Sequence, residues 1–115
     1  MIEHLKRANA LLVTNDFQIQ MRDKNKRFER QYPLKNDQKV KILRSLKSED
    51  CVDIAPNDNP RYPDNTVFKF IKKIEETFYG EKKEVTLYIK QYIVEKKDYE
   101  LLMVISFHEE GDYDM

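Results

Sequence analysis

Apolar residues recur at two spacings along this chain, and the switch between them divides it. In the first segment Ile2, Leu5, Ala8 and Leu12 return every three or four positions, which lines up one face of an α-helix. The pattern predicts a helix that ends near Thr14–Asp16. "FQIQMR" (17–22) then alternates, with Phe17, Ile19 and Met21 on one side and Gln18, Gln20 and Arg22 on the other. That is the period of a short, half-exposed strand. "DKNKRFERQYP" reads as a polar connection with room for a helical turn, closed by Pro33. In "NDQKVKILRSLKSED" the helical spacing resumes through Val40, Leu43 and Leu46, with Ile42. Asn36 is a suitable N-cap there, and Ser48, Glu49 and Asp50 suit a further short turn.

The second half is strand-like. "PNDNPRYPDN" (56–65) breaks both helix and strand with its prolines and asparagines, and it would hold Arg61 and Tyr62 out for binding. Three strands follow, "TVFKFIKKIEE", "EVTLYIKQYIVE" and "YELLMVISFHEE". In the second, Val85, Leu87, Ile89, Gln91 and Ile93 share one face, and Thr86, Tyr88, Lys90, Tyr92 and Val94 the other. In the third, simple alternation sets Tyr99, Leu101, Met103, Ile105 and Phe107 against Glu100, Leu102, Val104, Ser106 and His108. The short connections favour a sequential antiparallel meander. The expected fold is therefore α+β, with helices packed on one face of a mainly antiparallel sheet that ends in a three-stranded meander.

At 115 residues the chain suits a single domain, 1–115, with an acidic tail from about residue 109. Charged residues make up 37% and glycines number two, so a densely charged surface over an ordered core is expected. The start of the chain lacks the pattern of a signal peptide. No apolar run approaches the roughly 20 residues of a membrane span. Cys51 is the lone cysteine, so no disulfide can form within the chain. These features fit a cytoplasmic protein.

The balanced net charge conceals an asymmetry. Residues 1–48 hold 12 Lys/Arg against 5 Asp/Glu, and residues 49–115 hold 9 against 16. The basic excess lies in 22–47, where Arg22, Lys24, Lys26, Arg27, Lys41 and Arg44 are candidates to hold a phosphate backbone. The competing reading is a solvated helix face that pairs with the acidic half.

Candidate chemistry comes from the strands. If the less apolar faces coincide, Tyr88, Lys90 and His108 project together, and Lys72 could join them. A phenol, ammonium groups and an imidazole suit metal-independent RNA cleavage. The 2′-hydroxyl must lose a proton to attack its own phosphate, and the 5′-oxygen must gain one to leave. A lysine stabilises charge on the phosphorane, and a tyrosine orients the nucleophile or stacks a base. Each residue alone has a plainer reading: exposed lysines, a half-buried sheet tyrosine, a strand-end histidine. Two distant histidines and one cysteine do not make a metal site. Gly80 and Gly111 form no phosphate loop, and a Cys51–His108 nucleophile pair lacks any supporting motif. No cofactor is expected.

The ordered segments "LRSLKSEDC", "TVFKFIK", "LYIK" and "VISFHEE" resemble the MqsR family of type II toxin–antitoxin toxins over roughly residues 40–110. The resemblance implies a RelE-like fold and mRNA interferase activity, ribosome-independent or ribosome-assisted. It implies mRNA and a cognate antitoxin as partners, with the ribosome as a third under the assisted mode. Tyr88, Lys90, His108 and Lys72 fall on the family's strand tyrosine, its following lysine, its histidine or lysine after "SF", and the lysine closing its aromatic strand. The chain departs from the family at Phe68, where relatives have Trp, at Ile71, where some have glycine, and at Asp53, where one branch has lysine. The alternative from another class is a non-catalytic protein of phage or mobile-element type, docking an acidic partner through residues 22–47.

Overall fold

The computed structural model describes residues 1–57 and 65–111. The expectations for Arg61 and Tyr62, and for most of the acidic tail, lie outside the described residues. The order is α1 (Ile2–Val13), β1 (Phe17–Ile19), α2 (Asp23–Gln31), α3 (Asn36–Arg44), a 3-10 turn (Ser48–Asp50), β2 (Cys51–Pro56), β3 (Thr66–Phe78), β4 (Glu81–Glu95) and β5 (Glu100–Glu109). The five strands form one sheet in the order β1-β5-β4-β3-β2. Strands β2 to β5 are a sequential antiparallel meander, and β1 joins parallel to β5. The fold is α+β on a mixed open sheet.

The apolar stripe of α1 buries Leu5, Ala8 and Leu12 as expected, and also His4. The helix stops because Asn15 takes a left-handed conformation, φ 62°. Its N–H reaches Leu12 O and the next N–H, of Asp16, reaches Leu11 O at 2.8 Å. Those bonds satisfy the last carbonyls of the helix, and Asp16 O in turn accepts from Leu102 N, which ties the helix end to β5.

Two expectations need correction, and one stretch left without an element proves to be a strand. The polar connection is a nine-residue helix, α2. Its Asn25 and Phe28 are buried, and Phe28 and Tyr32 rings pack 5.3 Å apart. The three sit at helical spacing, a stripe too short to stand out among charged neighbours. Asn36 is not the N-cap of α3 but its first helical residue. Lys35 holds the cap position, and its N–H donates to Gln38 Oε1 at 2.8 Å. Finally, "CVDIAP" is an edge strand, β2. The register shift between Cys51 and Asp53 and the exposure of Val52 and Ile54 erase its alternation.

All three helices pack on one sheet face. Phe28 meets Phe107 edge-on at 5.8 Å, Tyr32 meets Phe78, and Leu5, Ala8, Leu12, Ile42 and Leu43 join Phe70, Leu87, Ile89, Leu102 and Val104 in one core. The opposite face carries a smaller cluster, in which Leu101, Met103 and Ile105 pack on Val67, Tyr92 and Val94. Apart from Ile71 the neighbouring stretch of that face is mostly polar, and the candidate site lies there.

Candidate functional site

The facing of β5 decides the site. Lys90 pairs with Ser106, whereas Gln91 pairs with Val104. Ile105 is therefore an extra residue, a β-bulge that resets the alternation. Before it, Leu102 and Val104 face the helices. After it, Phe107 faces them, opposite Ile89, and Ser106 and His108 turn to the helix-free face opposite Lys90 and Tyr88. The unbroken alternation expected for this strand is thus corrected. It would have kept Leu102, Val104, Ser106 and His108 on one face.

The bulge brings three of the expected residues together. Tyr88 and His108 are directly opposite, their ring centroids 5.6 Å apart. Lys90 lies two residues along from Tyr88 on the same face. A depression of about 410 Å³ is lined by Tyr88, Lys90, Ser106 and His108, with Arg22 and Lys24 from the start of α2; Ile71 and the acidic Glu110 also line it. Arg22 donates from its guanidinium to Ser106 Oγ at 3.3 Å. His108 is only 5% exposed, and its Nδ1 lies 3.0 Å from Glu109 O. A carbonyl only accepts, so Nδ1 carries the proton there.

Lys72 is not in this group. It pairs with Leu87 on the helix-facing side, and its ammonium donates to Asp50 Oδ2 at 3.2 Å. The lysine of β3 that faces Lys90 is Lys69, which bonds Asp53 at 3.2 Å.

The basic tract is divided. Arg22 and Lys24 reach the site. Lys26 lines a separate groove between β1, α2 and α3, Arg27 lines a hollow with Glu109 and Glu110, and Lys41 and Arg44 lie along α3 near α1. Ser106 and Asn25 were not singled out from the sequence. Ser106 was placed beside His108, and only the bulge gives it Lys90 as neighbour. Asn25 sits three positions before Phe28, a spacing that marks it as inward-facing once α2 is recognised as a helix. Among the described residues, no group of His, Cys, Asp and Glu is arranged to hold a metal ion.

No family model, no curated protein and no solved structure matches this chain.

Proposed function

We propose that this chain is a metal-independent endoribonuclease that cleaves mRNA, the toxin of a type II toxin–antitoxin pair, with a RelE-like arrangement of the MqsR kind. The observation that carries the reading is the cross-strand placement of Tyr88, Lys90 and His108 in one depression edged by Arg22 and Lys24. Lys90 would hold the scissile phosphate. With Lys72 engaged on the other face, Arg22 is the better second cation. Tyr88 would orient the 2′-hydroxyl or stack a base. His108, protonated in the RNA complex, would give its proton to the departing 5′-oxygen while the 2′-hydroxyl loses its own to solvent water, leaving a 2′,3′-cyclic phosphate. The antitoxin would cover this face.

The test is cleavage of purified mRNA without added metal, with end groups determined, by the wild type and by Lys90→Ala/His108→Ala. Cyclic-phosphate ends made by the wild type and lost in a folded double variant are expected. RNA left intact by the wild type, both alone and with ribosomes, would select the non-catalytic reading, a protein that docks an acidic partner.

A further inference from the structure

Asn25 belongs to α2, yet its amide serves β5. Its Nδ2 donates to Ile105 O at 2.9 Å and to Gln20 O at 2.8 Å, and its Oδ1 accepts from Phe107 N at 2.9 Å. Ile105 O belongs to the bulged residue itself and Phe107 N to the second residue after it, just past the point where the pairing with β1 ends. Left bare at a buried position, such groups are costly. Asn25 is 7% exposed, so its amide occupies the place water would need. Gln20 continues the parallel edge beyond β1, its N–H donating to Val104 O at 2.9 Å. One amide thus joins the segment after β1, α2 and the bulged stretch of β5.

We infer that Asn25 is a positioning residue, whose amide holds the Ile105 bulge in β5 and so determines that Ser106 and His108 face Lys90 and Tyr88. An amide suits the task because it supplies donor and acceptor from one planar group. A carboxylate lacks the donors and a methyl group lacks both. The rival cause is Phe107, whose burial against Phe28 also favours the bulged register. The two are separable, because deleting Ile105 leaves a regular strand. Val104 and Ser106 then follow directly opposite Gln91 and Lys90, and His108 keeps its place without a clamp.

The consequence for catalysis rests on the ribonuclease reading, but the register does not. Side-chain NMR of the full chain reads the register through NOEs between the Tyr88 and His108 rings. These are expected in the wild type, absent in Asn25→Ala and in Asn25→Asp, and present again when Asn25→Ala is combined with deletion of Ile105. RNA cleavage should follow the same order, falling about 100-fold in Asn25→Ala, as for a misplaced catalytic group, and returning in the combined variant. NOEs that persist in Asn25→Ala overturn the inference and give the register to Phe107. So does a combined variant that fails to recover them. If Asn25→Ala alone does not fold, the combined variant decides, since restored folding with the NOEs supports the clamp and any other result overturns it. A wild type without cleavage but with this NOE pattern removes the ribonuclease reading and leaves the positioning role standing.

Discussion

The partner of a charged side chain governs what chemistry it is available for. Lys72 is committed to Asp50, with side chains 22% and 18% exposed. Lys72→Ala should cost about 1 kcal/mol in urea denaturation, as for a half-screened ion pair, with RNA cleavage retained. His108→Ala and Lys90→Ala should each lower cleavage by about 10²- to 10⁴-fold under conditions where circular dichroism shows the variant folded. Equal losses of cleavage from all three lysine and histidine variants would mean that the sheet face does not define the site. The other histidine follows a different logic. His4 stacks on Phe68 at 3.8 Å, and its Nε2 accepts from the Gln91 amide at 3.1 Å. Burial, then the positive N-terminus and Arg7, lower its pKa from 6.5 to about 4. The folded state therefore keeps His4 neutral while the unfolded chain protonates it below about 6.5. Its contribution is complete above 6.5 and is lost as pH falls toward 4, up to about 3 kcal/mol in all. Chemical denaturation from pH 7 to 4 should show this slope in the wild type and a shallower one in His4→Gln. Parallel slopes would place the acid sensitivity in other groups.

At the scale of elements, the β3–β4 hairpin is the most local test of sequence against structure. Phe78 pairs with Glu81, so Tyr79 and Gly80 form a two-residue turn, both at positive φ, 51° and 80°. This is the hairpin turn that matches strand twist. Tyr79 is an unusual occupant, and its hydroxyl donates to Arg30 O at 2.8 Å. Gly80→Ala should destabilise by about 1 kcal/mol through backbone strain alone, since a methyl group there meets no neighbouring atom. An unchanged melting temperature would show that the turn relaxes. The meander was legible because β3, β4 and β5 alternate and their connections are short. Tyr88 and Lys90 were placed on their face for the same reason. His108 was not placed reliably, because a bulge depends on what fills it. Two of the three bonds of Asn25 go to residues some eighty positions away, which no local pattern encodes. The same limit hid α2, whose helical face is defined by Phe107 and Phe78 across the core rather than by its own polar composition, and β2, which takes its register from β3.

At the scale of the molecule, the charge asymmetry of the sequence does not become a single basic surface. On the β3–β4 hairpin, acidic residues pair with lysines of their own half of the chain, Lys73–Glu84 and Lys82–Glu75. Lys39 is engaged with Glu29 at 2.7 Å. Lys26 with Arg30, Arg27, and Lys41 with Arg44 line three separate depressions, none of them the candidate site. An RNA strand seated at the candidate site would therefore meet Arg22 and Lys24 of the tract, together with Lys90 of β4. Counterion release makes this measurable, because each phosphate neutralised on single-stranded RNA contributes about 0.7 to the slope of log affinity against log salt. Three contacts predict a slope near −2, where engagement of the whole tract would give one several times steeper. Lys41→Glu with Arg44→Glu should leave both affinity and slope nearly unchanged. Arg22→Ala with Lys24→Ala should weaken binding and flatten the slope to about −1. A steep slope that collapses on changing Lys41 and Arg44 would move the RNA path to the helical layer, away from His108, and with it the assignment of the sheet face as the site of chemistry.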